Sequence, residues 1–344
     1  MKKTTRVVLL VVLMLLLFNL SGCAFLKNAN APQIIESYPS DTAPSQVIKT
    51  DDFWVMLFNS YAEHDYSILI GENPDSLNEI YNVDDVTIWY FDADNDAVVW
   101  SERSTEFYTY KLYRFDTRNV ETIYQASLED GYQAVNIGIY AKSAYYCLVD
   151  YKKQDVSVLA YNFETGSTTV VYDIPYEEKN QPHTINVEDE YLSFACADEI
   201  AVINLKNNET VFKTKLPEEV KYTYAVSYDG INDVCALYYA DEDSEDIAVL
   251  KEGDAEISSL CTFSKNYYAY MEKIECYDGH LYWIKQANVS GMVADHYTFV
   301  DYDYLTHKPI ETKWTLDFFR DGKEIYLIRF NKIEYTHMNL CQYQ

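Results

Sequence analysis

Asp278-Gly279-His280-Leu281-Tyr282-Trp283-Ile284 and Asp321-Gly322-Lys323-Glu324-Ile325-Tyr326-Leu327-Ile328 are two copies of one pattern: a tight Asp-Gly turn, then a short aromatic and aliphatic run. Asp-Gly accepts the positive φ angles of hairpin turns, and the run is rich in residues that fit a pleated, buried surface. The unit recurs upstream behind other polar turns. Asp51-Asp52 precedes residues 53–58, Asp94-Asn95-Asp96 precedes 97–100, Lys142-Ser143 precedes 144–149, Glu188-Asp189-Glu190 precedes 191–194, and Asp229-Gly230 stands shortly before 234–239. With turns near 52, 95, 143, 189, 230, 279 and 322, the spacings are 43, 48, 46, 41, 49 and 43 residues. A second hairpin follows each run, as in 111–116 with 120–124, 158–162 with 168–172, and 200–204 with 210–212. Four short strands in about 45 residues is the grammar of a propeller blade.

Counting strands closes the ring. Residues 45–82 carry four, five further four-stranded units run to about Lys313, and the last unit, 315–340, carries three. The missing outer strand is expected from Ile34-Ile35-Glu36-Ser37-Tyr38, which joins the two ends and leaves no unpaired seam. The sequence therefore predicts an all-β, seven-bladed β-propeller over residues 45–344, with six blades as the fallback. Helical periodicity is absent beyond the first 22 residues, and Tyr, Val, Ile, Thr, Phe and Trp dominate the repeats. The two Asp-Gly segments resemble the second-strand segments of bacterial lipoprotein propellers of the TolB-like and YWTD-like kind. Blades three and four depart by lacking Asp-Gly. The resemblance implies a fold and no activity, because its motifs specify a turn and a packed strand.

The N-terminus carries an address. Lys2, Lys3 and Arg6 precede twelve consecutive apolar residues, 7–18, a run too short for a permanent membrane span. Leu20-Ser21-Gly22-Cys23 follows and resembles the lipobox of bacterial lipoproteins. That resemblance implies a signal peptide over 1–22, a lipid-modified Cys23 as the new N-terminus, and a chain held on the outer face of the cytoplasmic membrane. Residues 23–44 read as a lipid-anchored spacer that includes the closing strand near 33–38. Two acyl chains tether a protein to a membrane far better than one.

The 344 residues include 55 Asp plus Glu against 27 Lys plus Arg, a formal charge of −28. Removing residues 1–22 takes away three cations and no acid, so the remaining 24 and 55 leave −31. Such a surface argues against a nucleic-acid partner, since phosphate contacts need clustered Lys and Arg. Six cysteines follow Cys23, at 147, 196, 235, 261, 276 and 341, with no CxxC. Their even number permits 15 disulfide pairings in an exported protein. Cys147, Cys196 and Cys235 sit in apolar runs that suit buried thiols, and Cys261 with Cys276 is the pair suggested by proximity in sequence.

Motifs that carry chemistry are scarce. Asp92, Asp94 and Asp96 alternate at a turn between the first two strands of a blade, where carboxylates can present hard oxygens to calcium. The run is similar to the calcium loops of integrin-type propellers, but Ala97 replaces the turn glycine and Trp100 stands where a further acid is expected. An EF-hand is excluded by Arg103 at the bidentate position. The plainer reading is a solvated acidic turn. The acidic run 241–246 reads as a solvated loop on one rim, able to meet a cationic partner. Of 34 tyrosines, Tyr222, Tyr224, Tyr267, Tyr268 and Tyr270 cluster near predicted blade junctions, where aromatic faces can stack on sugars or anchor a protein. The six histidines lack metal-ligand spacing, and no nucleophile elbow, P-loop or GxGxxG is present.

The function expected from these residues is a non-catalytic, membrane-anchored binding or scaffold propeller, monomeric, recognising a protein or glycan through one rim. No cofactor is called for beyond calcium at the Asp92 turn. The rival is a hydrolase or lyase acting on extracellular glycans or peptides, which a deep channel holding a carboxylate of raised pKa would favour. A third reading is a sensory accessory to a transporter or kinase.

Overall fold

The computed structural model describes residues 32–60, 65–130, 132–150, 152–153, 155–175, 184–196, 199–216, 220–241, 244–251, 258–264, 273–287, 296–331 and 337–343. The expected signal peptide over 1–22 and Cys23 lie outside the described residues, as do Tyr267, Tyr268 and Tyr270. The first strand is β1 (Gln33–Pro39). Blade one is β2 (Pro44–Lys49), β3 (Trp54–Ser60), β4 (Asp65–Gly71) and β5 (Asn78–Asp84), and blade two is β6 (Thr87–Ala93), β7 (Ala97–Arg103), β8 (Phe107–Arg114) and β9 (Asn119–Ser127). Blade three is β10 (Tyr132–Tyr140), β11 (Ser143–Asp150), β12 (Asp155–Asn162) and β13 (Ser167–Pro175), and blade four is β14 (Thr184–Glu188), β15 (Tyr191–Cys196), β16 (Glu199–Asn204) and β17 (Glu209–Lys215). Blade five is β18 (Tyr222–Asp229), β19 (Val234–Ala240), β20 (Ser244–Lys251) and β21 (Ser258–Ser264), and blade six is β22 (Ile274–Tyr277), β23 (His280–Ala287), β24 (His296–Asp303) and β25 (Lys308–Lys313). β26 (Thr315–Asp321), β27 (Glu324–Phe330) and β28 (His337–Tyr343) begin blade seven, which β1 completes in the order β1-β28-β27-β26. The chain is thus a seven-bladed propeller closed by its N-terminal strand, paired antiparallel from Gln33 opposite Gln342 to Pro39 opposite His337.

Local chemistry sets each blade. Asp278 and Gly279 adopt φ of 48° and 88°, and Ala141 and Lys142 adopt 47° and 63°, the left-handed pair whose twist matches a hairpin. Blade three therefore builds the same turn without Asp-Gly. On the outer hairpins, Asn162 and Asp303 accept backbone N–H bonds from the residues two and three ahead, which fixes those turns. The second strands are buried over most of their length, and throughout in β11 and β19, because each blade's neighbours cover both faces. The outer strand β25, with no blade beyond it, is exposed at five of its six residues.

Among the described residues seven apolar clusters form, one at each blade interface. Val55, Val98 and Trp100 join blades one and two, and Val47, Trp54, Phe319 and Tyr326 join blades one and seven across the closure. Polar latches cross the same seams: Arg114 to the Phe163 carbonyl at 2.8 Å between blades two and three, Asp229 to the Gly279 N–H at 2.8 Å between blades five and six, and the Lys49–Asp321 ion pair between blades one and seven. Gly138 on β10 lies so close to blade four that an added Cβ would sit 2.5 Å from the Val187 Cβ. Gly138→Ala is expected to cost about 1–3 kcal/mol through overpacking. A urea midpoint unchanged from the parent would contradict that close approach.

The cysteines need a correction. Cys147, Cys235, Cys276 and Cys341 are buried free thiols, and Cys261 is free and half-buried. Cys261 lies on the outer strand of blade five, whereas Cys276 lies on the inner strand of blade six, so proximity in sequence does not bring them together. Burial pushes the Cys341 thiol up to about 11, and the Cys235 and Cys276 thiols are raised for the same reason.

Candidate functional site: the central channel

The inner strands β2, β6, β10, β14, β18, β22 and β26 surround a channel of about 710 Å³. All seven run in the same direction, from one end, here called the mouth, to the tight turns at the other, the floor. Five of them carry a bulge near the mouth: between Pro44 and Gln46, Ile88 and Phe91, Ala134 and Ile137, Thr223 and Ala225, and Thr315 and Asp317. A bulge inserts one unpaired residue and re-aims its side chain. Ser45, Trp89, Tyr90, Asn136 and Leu316 occupy four of these bulges and line the channel.

The floor is an ion network. Arg320, one residue before the end of β26, reaches across the channel from blade seven to blade four. Its Nη2 meets Glu188 Oε1 at 2.5 Å and Asp189 Oδ2 at 3.1 Å, its Nε lies 3.7 Å from Glu275 Oε2, and its Nη1 donates to the Gly322 carbonyl at 2.7 Å. The guanidinium also stacks 4.2 Å from the Tyr277 ring centre, and only 6% of the Arg320 side chain is exposed. The other Glu188 oxygen accepts the Ser227 hydroxyl at 2.8 Å, and Ser227 in turn accepts the Cys276 N–H at 2.8 Å. Nearer the mouth, just before β22, Lys273 pairs with Glu275 at 3.0 Å and donates to the Phe318 carbonyl at 2.8 Å. Its side chain is 43% exposed and lines the channel.

Burial disturbs the carboxyls here. It pushes Asp92 up to about 7 against the N–H bonds of Ile139 and Ala93, both at 2.8 Å, with Asp94 raising it further and Lys273 opposing. Burial likewise pushes Glu188 up to about 7, with Arg320 pulling it down and Glu275 pushing it up. Burial disfavours charge on Arg320, but Glu188, Glu275 and Asp189 outweigh it and hold the guanidinium charged. Asp92 and Glu188 are harder to ionise folded than unfolded, so the native state holds extra protons between about pH 4 and 7. Their contribution to stability therefore falls as pH rises through that window.

The predicted site residues separate. Asp92 turns toward blade three, while Asp94 accepts the N–H groups of Asp96 and Ala97 and so caps its own turn. Among the described residues no three His, Cys, Asp or Glu side chains group as a metal site. Tyr222 and Tyr224 are exposed on β18 at the mouth end, with Tyr224 packed 4.8 Å from the Tyr238 ring, and neither lines the channel. The acidic run 241–246 is not simply solvated: Asp246 is buried and accepts the hydroxyls of Ser244, Ser259 and Thr262, and Asp241 accepts the Ser244 N–H. Sequence reasoning missed Arg320, Glu188, Glu275, Lys273 and Trp89. A signal existed: aligning the blades on their first turns places Glu188, Glu275 and Arg320 within three residues of those turns, as charges inside inner strands.

No known family signature matches the chain, and no curated protein matches it. Solved structures match over nearly the whole length. The β-propeller domain of the Trilobed protease from Pyrococcus furiosus is 10% identical, with 89% of this chain and 94% of that one covered and a TM-score of 0.57. The acylaminoacyl peptidase of Pyrococcus horikoshii is 10% identical, with 91% and 54% covered and a TM-score of 0.55. The oligogalacturonate lyase of Vibrio parahaemolyticus is 9% identical, with 91% and 98% covered and a TM-score of 0.53. At these identities the likeness is one of fold, shared by peptidase domains and a lyase alike. The chain is a seven-bladed β-propeller that resembles the propellers of peptidases.

Proposed function

We propose that this protein is a membrane-tethered, extracytoplasmic binding propeller that takes a protein or glycan target at the channel mouth. The tether rests on the basic n-region, the apolar run 7–18 and Cys23. The non-catalytic reading is carried by one observation: the carboxyls with raised pKa are already occupied. Both Asp92 oxygens accept backbone N–H groups, and both Glu188 oxygens are taken by Arg320 and Ser227. A general acid or base must reach its substrate proton, whereas groups held this way fix shape and charge.

Asn136→Trp, which fills the mouth from a half-buried bulge position, tests the reading. Retention of bacterial cell-wall glycan or solubilised membrane protein by the full chain is expected to fall at least about tenfold. Undiminished retention by the variant would remove the mouth from the account. The hydrolase or lyase reading keeps one observation in its favour, two channel carboxyls near 7. Turnover of the same material that stops with Asp92→Asn is the result that would establish it.

A further inference from the structure

The mouth differs chemically from the floor. Its lining at the bulged end gathers Trp89 and Tyr90 from β6, Ser45 from β2, Asn136 from β10 and Asn186 from β14, with the charged side chains of Lys273 and Asp317 also in the lining. Trp89 is 37% exposed, a large fraction for an indole on an inner strand. It is nonetheless held in place, with the Arg103 guanidinium 5.3 Å from its ring centre and the Tyr90 ring edge-on at 6.4 Å. A fixed, half-open indole beside amides and hydroxyls matches a ligand with one apolar face and a polar edge.

We propose that the mouth is a sugar-binding site, in which the end of an uncharged oligosaccharide stacks one ring on Trp89 and presents hydroxyls to Asn136 and Asn186. This rests on the binding-propeller reading and names its ligand class. A sugar ring offers the C–H face that an indole takes and the hydroxyls that short amide and hydroxyl side chains pair. A channel of about 710 Å³ lies within the range of small-ligand sites. Acidic sugars are disfavoured, because acids outnumber the cations Lys49, Lys273 and Arg320 in the channel lining and the whole chain carries −28.

The test uses the full chain in detergent micelles, with maltotriose, the N-acetylglucosamine trimer and trigalacturonate as probes, read by calorimetry and tryptophan fluorescence. At least one uncharged trisaccharide is expected to bind, with trigalacturonate at least about tenfold weaker. Trp89→Ala should weaken that binding at least about tenfold, while Trp89→Phe, which keeps a stacking face, stays within about threefold. Thermal melts of both variants should match the parent, since the ring is surface-facing. Unchanged binding by Trp89→Ala, or equal binding of trigalacturonate, overturns the proposal. If no trisaccharide binds but envelope material is still retained in a manner that Asn136→Trp abolishes, the sugar assignment falls and the binding-propeller reading stands. If neither is retained, both fall.

Discussion

Replacing Arg320 with methionine is expected to destabilise the protein by about 3–5 kcal/mol, the cost of leaving buried carboxylates without their cation. Three acids depend on this guanidinium, Glu188 at 2.5 Å, Asp189 at 3.1 Å and Glu275 at 3.7 Å, and Glu188 and Glu275 are only 13% and 11% exposed. Methionine keeps the unbranched aliphatic stem but is shorter and loses the guanidinium stack on Tyr277, so a void contributes alongside the lost charge. The pH dependence separates this from a packing defect. Glu188 already sits near 7 with Arg320 present, and losing the cation pushes it higher. Protonation then relieves the unpaired charge, so the destabilisation should grow as pH rises above about 7 and be clearly smaller at about pH 5. Urea unfolding at about pH 8 and about pH 5 measures the difference. A loss that is equal at both, or below about 1 kcal/mol at pH 8, means the cross-channel bridge contributes no net electrostatic stability.

Deleting residues 1–39, which removes β1, is the second large effect. Blade seven would keep three strands, and β28 would show an unpaired edge from His337 to Tyr343. Ile35 and Tyr38 would leave the cluster between blades one and seven, where Tyr38 packs edge-on against Phe58 at 6.1 Å and donates to the Pro74 carbonyl at 3.2 Å. Partial burial of those two side chains is worth roughly 1–2 kcal/mol each, and the strand's backbone bonds add about as much again. Against a typical domain stability of about 5–15 kcal/mol the loss is severe. The bare edge should also drive self-association. Ultracentrifugation and urea unfolding of the truncated chain are the measurements, and a synthetic peptide of residues 32–41 added in trans should restore the monomer. A truncated chain that stays monomeric at the parental urea midpoint would show that the ring does not depend on this strand.

The blades were legible because their determinants are local. A turn dipeptide and an alternating or wholly apolar run lie within ten residues of each other, and repetition made each copy a check on the rest. The closing strand followed from counting, since three strands at one end demand a fourth from the other. Turns with no glycine were less visible: Ala141-Lys142 adopts the left-handed pair because packing of β10 and β11 imposes it, and the residue types carry no such preference. The channel was not legible. Glu188 and Arg320 stand 132 positions apart and meet only because the ring brings blades four and seven to one axis. Trp89 reads as an ordinary strand aromatic until a bulge turns it into the mouth. The acidic run at 241–246 was misjudged for a related reason: Asp246 finds its hydroxyl partners on β21, thirteen and sixteen residues away.

The closure also sets a timetable. β1 is the first strand made and its partner β28 the last, so its edge waits while roughly 300 residues are synthesised, about 15–60 s at typical elongation rates. A strand left open that long invites wrong pairing. β1 is short, exposed or half-buried throughout, carries Glu36 within it and ends at Pro39. Those properties make it a poor template for a stranger, so the segment that completes the ring is also one suited to waiting for it.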